Sequence, residues 1–248
     1  MGIGDGARMM RASFELVRRD RALLWFPFIS TVCLAVSAGF WIYEGAWLYA
    51  VQGPGLLFVP LVVLALYSLA FIGVFFNVAL AAAAAQALDG DEPSVDGGIA
   101  LAWSRLGAVA GWAAYSVFVS LLLGFVEGIK GLRWVGRAAE VAWNFVTFFV
   151  VPVIALEGLG AGDARRRSFE LAKENWKAEG GGLGALRAAW LLPGLLFFLD
   201  AKLLFSGHVH SEPGKLLLGF VLLCGFALAA GVGVVRQVFA VSLYRASV

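Results

Sequence analysis

Six long apolar stretches run along the chain, and short polar segments separate them. A helix needs about 20 residues to cross the roughly 30 Å hydrocarbon core of a bilayer, and most of these stretches approach that length. The fifth is the weakest, because only 12 uncharged residues lie between Arg187 and Asp200. The pattern predicts an all-α protein, an integral membrane bundle of six transmembrane helices that forms a single domain over residues 1–248. The predicted spans are residues 22–43, 56–85, 106–126, 138–156, 183–205 and 216–235.

Three of the polar segments have helical periodicity, and they precede the first, third and fifth spans. Ser-Phe-Glu-Leu stands at residues 13–16 and again at 168–171, each time in a basic segment, and a third candidate helix covers residues 95–105. We therefore predict three transmembrane hairpins, each preceded by a cytoplasmic amphipathic helix. An identity of four residues leaves open whether the repeat reflects a true duplication.

The distribution of basic residues predicts the orientation. Segments 1–21, 86–105, 157–187 and 236–248 hold 14 of the 19 Lys and Arg residues. Because Lys and Arg favour the cytoplasmic side, both termini are predicted to be cytoplasmic. The basic helices are expected to lie on the anionic leaflet, with membrane lipids as partners.

Composition supports a membrane protein and excludes other classes. The chain is 61% hydrophobic and 15% charged, whereas soluble domains have about 45–50% apolar and about 25% charged residues. This excludes a soluble enzyme, a nucleic-acid-binding domain and a disordered tail. Cys33 and Cys224 both fall in apolar stretches and are interpreted as packing residues.

Two stretches carry a family resemblance. The first combines Phe-Phe-Asn-Val-Ala-Leu at residues 75–80 with Gly90 and Asp-Gly-Gly-Ile-Ala at 96–100. The second runs through residues 142–153 and closes at Glu157. Together they resemble an uncharacterised family of bacterial and archaeal multi-span membrane proteins. The resemblance implies the six-helix topology and location in the prokaryotic cytoplasmic (inner) membrane, and it implies no activity.

Polar residues inside the predicted spans are the candidates for a ligand or permeation pathway. Asn77 lies deep in the second span and Asn144 in the fourth, where each amide either lines a pathway or links two helices. Pro152 removes a backbone donor and is expected to kink the fourth span. Glu157 follows near the cytoplasmic boundary, where we expect an ion pair with Arg165 or Arg187.

Asp200, close to the outer end of the fifth span, is a further candidate for a ligand or permeation pathway. The alternative is an ion pair with Lys202 or with Lys130. His208, His210 and Glu212 follow in the next loop. Two histidines at i and i+2 suit a loop better than one face of a helix, and a full zinc site needs three or four ligands. No metal site and no cofactor are therefore predicted.

Glycines in the third span form two GxxxG patterns, Gly107 with Gly111 and Gly124 with Gly128. Such residues let helices approach closely, either inside the bundle or between copies of the chain. A further glycine-rich stretch at residues 180–184 is predicted to be a flexible joint.

The sequence contains no nucleophile–base set, no metalloprotease motif and no paired catalytic carboxylates. It therefore favours a non-catalytic membrane scaffold or an accessory subunit, with a homo-oligomer or a membrane complex as its context. The alternative is a passive binding or permeation pathway for a small molecule, an ion or a lipid.

Overall fold

The computed structural model describes residues 2–129, 132–205 and 212–248, and this part of the chain is helical without strands. A 3₁₀ helix (Arg21–Leu24) leads into α2. The α-helices are α1 (Ile3–Arg19), α2 (Trp25–Gln52), α3 (Phe58–Asp89), α4 (Val95–Ser104), α5 (Leu106–Gly128), α6 (Arg133–Val146), α7 (Val150–Leu156), α8 (Ala161–Phe205) and α9 (Glu212–Arg245).

Five segments are long and apolar enough to cross a membrane. A sixth is present if the two parts of α8, Ala161–Gly184 and Ala189–Lys202, count as one span bent by 48°. The prediction of an all-α protein with several apolar spans is therefore confirmed, with five or six spans. The five are Arg21–Gln52, Phe58–Asp89, Leu106–Gly128, Arg133–Leu156 and Leu217–Arg245.

The first apolar helix is longer than predicted. It continues through Glu44 and ends only at Gln52, where Gly53 has a φ of 69° and its N–H donates to the Tyr49 carbonyl. A single charged side chain does not interrupt a helix, because it can extend towards water from the helix end. A glycine with positive φ does end it.

The stretch at residues 180–184, expected to be a flexible joint, is helical, and the 48° bend of α8 follows directly after it, between Gly184 and Ala189. Gly182 is buried there against α9: a Cβ on it would lie 2.1 Å from the Phe239 ring. The glycine therefore makes room for an aromatic side chain rather than for motion, and the fifth predicted span is the continuation of a longer helix.

The packed core lies at one end of the bundle. Its buried side chains come from the start of α2, the end of α3, α7, the first part of α8 and the end of α9; they include Leu23, Phe26, Val78, Ala83, Val153, Leu171, Val238 and Leu243. Towards the other end, large apolar side chains such as Leu56 and Phe125 are exposed. Hydrocarbon is the solvent that suits such outward-facing surfaces.

Two short helices complete the packed end. α1 turns Met10, Ser13 and Val17 inward and packs against α8 and α9. At its start, hydrogen bonds from the Gly2 backbone N–H and the Arg8 side chain hold the pKa of Asp5 below its ordinary value. α4 packs against α3 and begins at Ser94, whose hydroxyl accepts a hydrogen bond from the Gly97 N–H at 3.0 Å.

Candidate functional site

A cavity of about 580 Å³ lies between α2, α3 and α9, and Asn77 is part of its wall. Its lining is otherwise almost entirely apolar, and Ser30 and Thr31 are the other side chains in it with hydrogen-bonding atoms. The remaining wall consists of Phe26, Pro27, Leu34, Ala35, Ala38, Leu69, Gly73, Phe76, Leu80, Phe226, Ala229, Ala230, Gly233 and Val234. We call this space the Asn77 cavity.

The polar groups of the Asn77 cavity are only partly engaged by the protein. The Asn77 amide nitrogen donates to the Gly73 carbonyl of its own helix at 2.9 Å, and the Thr31 hydroxyl donates to the Pro27 carbonyl at 2.7 Å. The Asn77 amide oxygen accepts no hydrogen bond from other described residues, and the side chain is exposed. An amide in this setting can orient one polar group of an otherwise apolar ligand.

Asn144 is not part of this cavity. It lies on α6, its side chain is exposed, and the described residues that form the Asn77 cavity come from α2, α3 and α9. The two asparagines therefore do not line a common cavity.

Pro152 is expected to kink the fourth span; the structure has a turn at residues 147–149, just before it, that separates α6 from α7 within one candidate span, Arg133–Leu156. Proline at 152 provides no N–H for the Phe148 carbonyl. The buried Ser168 of α8 serves the broken ends: its hydroxyl donates to the Val146 carbonyl at 2.6 Å and accepts from the Phe149 N–H at 3.1 Å. The break is thus a fixed structural joint.

Glu157, at the end of α7, connects three helices. Its Oε1 atom accepts hydrogen bonds from the Tyr244 hydroxyl of α9 at 2.9 Å and from the Arg167 Nε of α8 at 3.3 Å. The expected partner Arg165 instead donates to the Tyr115 hydroxyl at 3.1 Å, and the Arg187 side chain lies outside the described residues. Arg167, two residues after Arg165 on α8, is the arginine that pairs with Glu157.

Neighbouring charges extend this polar cluster. Arg245, next to Tyr244, forms a two-pronged ion pair with Asp89 at the end of α3. The guanidinium of Arg105 lies under Gly158, whose φ is 71° and where a Cβ would be 2.4 Å from the Arg105 side chain. These contacts fasten the ends of α3, α7 and α9 together, which is a structural role. Asp89 and Arg245 are 156 residues apart in the chain, so no short sequence motif indicates that they pair.

Two carboxylates are buried and lack hydrogen-bond partners in the described part of the chain. Glu179 on α8 is fully buried, and Asp200 near the other end of the same helix is 4% exposed. The expected pairing of Asp200 with Lys202 is not formed, because Lys202 is exposed on the opposite side; Lys130 lies outside the described residues. Nothing in the sequence distinguishes Glu179, because it stands in a charged segment typical of a solvent-facing helix.

Three of the four GxxxG glycines of α5 do not pack against the described part of the bundle, so for these three the alternative of internal packing is wrong. Gly107, Gly124 and Gly128 are exposed, with no described atom within 4 Å of an added Cβ, and a Cβ on Gly111 would meet only Ala161. Close helix contacts instead occur at Gly6 against the Ala178 carbonyl and at Gly98 against the Ala79 carbonyl. Gly6 and Gly98 lie in polar segments rather than in a predicted span, so the sequence pattern did not indicate them as helix-packing residues.

His208 and His210, considered above as zinc ligands, lie outside the described residues. Across residues 2–129, 132–205 and 212–248, no group of three or more His, Cys, Asp or Glu side chains is arranged to hold a metal ion.

The model of a protein family described as a family of unknown function, DUF6159, matches residues 57–245, which is more than half of the chain. No curated protein and no solved structure matches it. The chain belongs to this family of unknown function, and the prediction of an uncharacterised family is confirmed.

Proposed function

We propose that this member of the family is a non-catalytic, multi-pass protein of the prokaryotic cytoplasmic membrane, and that it binds an uncharged, largely apolar small molecule or lipid in the Asn77 cavity. In this proposal the chain crosses the membrane six times, and both termini are cytoplasmic.

The six-span arrangement draws its support from the five long apolar helices and from the second part of α8, Ala189–Lys202, as the remaining span. α1, α4 and the first part of α8 would then be the cytoplasmic helices that precede three hairpins. The packed end of the bundle coincides with the end that carries most Lys and Arg residues, as the orientation rule favours.

The observation that carries the binding proposal is the position of the Asn77 amide in an otherwise apolar cavity of about 580 Å³. Sites for small molecules are typically apolar cavities with a few placed polar groups. With the inner boundary near residue 85, Asn77 would lie about 12 Å deep at a rise of 1.5 Å per residue. The lining contains no charged side chain, which favours an uncharged ligand.

Binding is favoured over conduction because Asn144 does not line the cavity that Asn77 lines. A polar-lined route through the membrane would need hydrogen-bonding groups along its length. The Asn77 cavity offers them at Ser30, Thr31 and Asn77 alone.

The test is native mass spectrometry of the protein extracted gently from its own membrane. Gly233 lines the cavity, and no described atom lies within 4 Å of a Cβ added to it, so Gly233→Leu would fill the cavity without a clash. We expect a reproducible uncharged molecule on the wild type and its loss in Gly233→Leu. Gly231→Leu, a glycine of the same helix that lies outside this cavity, should retain it. A wild-type protein that carries no such molecule would contradict the proposal.

A scaffold function is the second candidate, and the exposed glycines of α5 favour it. Gly124 and Gly128 lie about one turn apart near the end of α5 and Gly107 lies near its start, and no described atom lies within 4 Å of a Cβ added to any of them. In a bilayer such glycines are suited to contact with another helix, from a second copy or from a membrane-complex partner.

The same mass spectra test this candidate. A defined oligomer or a stoichiometric partner should be lost when Gly124 and Gly128 become Leu, and it should persist in Gly39→Leu, an equally open glycine of α2. A monomer without partners in the wild type would rule it out.

A further inference from the structure

α9 separates two cavities. Phe226, Ala229, Ala230 and Gly233 turn towards the Asn77 cavity, whereas Ala227, Leu228, Gly231 and Val235 turn towards a second cavity of about 540 Å³. We call the second space the α1 cavity, because α1 closes it on one side and α8 contributes Leu186 and Ala189. Unlike the Asn77 cavity, it has charged side chains on its wall.

These charges come from one face of α1. Arg11, Phe14, Glu15 and Arg18 line the α1 cavity, and all four are exposed. Arg11 and Arg18 are seven residues apart, close to two helical turns, so they project from the same side with about 10 Å between them along the axis. Phe14 lies between them and is 59% exposed.

The same face recurs 155 residues later in the chain. Residues 11–18 read Arg-Ala-Ser-Phe-Glu-Leu-Val-Arg, and residues 166–173 read Arg-Arg-Ser-Phe-Glu-Leu-Ala-Lys. The two copies also have the same burial pattern: Ser13 and Ser168 are buried, whereas Phe14 and Phe169 are exposed.

The second copy borders apolar space as well. Arg166 and Phe169 line a cavity of about 540 Å³ between α5, α6 and α8, and Phe169 and Lys173 line a smaller adjoining one. Trp143 and Val146 are in the walls of the first of these. In the first repeat Arg11, Phe14 and Arg18 line one cavity. In the second, Phe169 borders two adjoining cavities, with Arg166 on the wall of the larger one and Lys173 on the wall of the smaller one.

This combination matches the two ends of a phospholipid. Guanidinium and ammonium groups bind phosphate, an aromatic ring suits the interface between headgroup and chain, and an apolar cavity suits an acyl chain. The wall of the α1 cavity has two positive charges and the negative charge of Glu15, so a lipid with one net negative charge neutralises it. A zwitterionic lipid leaves a positive charge uncompensated.

We propose that the two repeats are a pair of binding sites for anionic phospholipid, in which Arg11 with Arg18, and Arg166 with Lys173, bind the phosphate while an acyl chain occupies the adjoining cavity. The sites are separate from the Asn77 cavity, and they do not depend on the function proposed for it.

The experiment is native mass spectrometry of the full-length protein, delipidated and then titrated with phosphatidylglycerol or with phosphatidylcholine. We expect two phosphatidylglycerol molecules to bind more tightly than any phosphatidylcholine. Arg11→Gln with Arg18→Gln should weaken one of the two about 30-fold, because each basic group near a membrane surface contributes about a fivefold gain. Arg166→Gln with Lys173→Gln should weaken the other to a similar extent.

The matched control removes two charges from the same helix. Arg8 and Arg19 lie on α1 outside the α1 cavity, and Arg8 is already paired with Asp5. Arg8→Gln with Arg19→Gln should leave both phosphatidylglycerol molecules bound. If this control weakened phosphatidylglycerol binding as much as the Arg11 and Arg18 variant did, binding would depend on the total positive charge of α1 rather than on these two positions. The proposal would then fail.

A variant in the apolar wall tests the acyl-chain half of the proposal. Gly231 lines the α1 cavity with no described atom within 4 Å of an added Cβ, so Gly231→Leu should displace the chain and weaken one phosphatidylglycerol molecule. Gly233→Leu, which fills the Asn77 cavity, should weaken neither. Equal binding of phosphatidylcholine and phosphatidylglycerol to the wild type would overturn the proposal, as would unchanged binding in both charge variants.

Discussion

The hydroxyl of Ser168 donates a hydrogen bond to the carbonyl oxygen of Val146, 2.6 Å away and 22 residues earlier in the chain. The same hydroxyl accepts from the Phe149 N–H, so one side chain of α8 serves both ends of the break between α6 and α7. A broken helix in an apolar interior needs such a partner, because its freed backbone groups have no water to bind.

Removing this hydroxyl should destabilise the protein. Ser168→Ala leaves the Val146 carbonyl and the Phe149 N–H without their partner, and a buried polar group left alone costs about 1–3 kcal/mol. The midpoint of thermal unfolding in detergent would measure the loss. Ser13→Ala is the matched control, because the serine of the other repeat donates to the Met9 carbonyl of its own helix. That substitution should change stability by less than about 0.5 kcal/mol; equal effects would show that Ser168 has no special role at the break.

The link between α7 and α9 should be measurable at Tyr244. Tyr244→Phe removes the hydrogen bond to the Glu157 carboxylate and should cost about 1.5 kcal/mol of unfolding free energy, as expected for a bond to a charged acceptor. Tyr49→Phe, at an exposed ring of α2, should cost almost nothing. In a double-mutant cycle, Glu157→Gln should reduce the cost of Tyr244→Phe. Strict additivity would mean that the two side chains do not interact.

The contact between α1 and α8 predicts opposite effects at two neighbouring glycines. A Cβ on Gly6 would lie 1.9 Å from the Ala178 carbonyl oxygen, so Gly6→Ala should push the helices apart and destabilise the protein by about 1–3 kcal/mol. No described atom lies within 4 Å of a Cβ on Gly4, so Gly4→Ala should be neutral or slightly stabilising. The midpoints of thermal unfolding of the two variants, compared with that of the wild type, measure this difference in stability. If Gly6→Ala is as stable as Gly4→Ala, α1 does not pack here.

Cysteine labelling tests the proposed orientation. In a Cys33→Ala, Cys224→Ala background, Gly55→Cys between α2 and α3 should react with a membrane-impermeant maleimide in intact cells. Asp91→Cys, between α3 and α4, should react only after the membrane is opened. Both positions are exposed, so access depends on the side of the membrane rather than on burial. The reverse pattern would place the termini outside.

The apolar pattern by itself determined the helical class and most of the spans. Because a helix in hydrocarbon must satisfy its own backbone and present apolar side chains outward, length and composition are sufficient to find it. The interruption near Pro152 was predictable for the same local reason: proline lacks an N–H wherever it stands. The repeat of Ser-Phe-Glu-Leu was visible too, although the cavities that the two copies border were not.

Which surfaces meet was decided by the tertiary structure alone. Gly107 and Gly124 follow the pattern of packing residues, yet no described part of the chain covers them, whereas Gly6 and Gly182 make close contacts. Lipid and protein are equally apolar neighbours for a helix, so hydropathy does not distinguish a surface that faces a lipid tail from one that faces another helix. The partners of Glu157 and Ser168, and the division of two cavities by α9, likewise depend on how distant segments fit together in space.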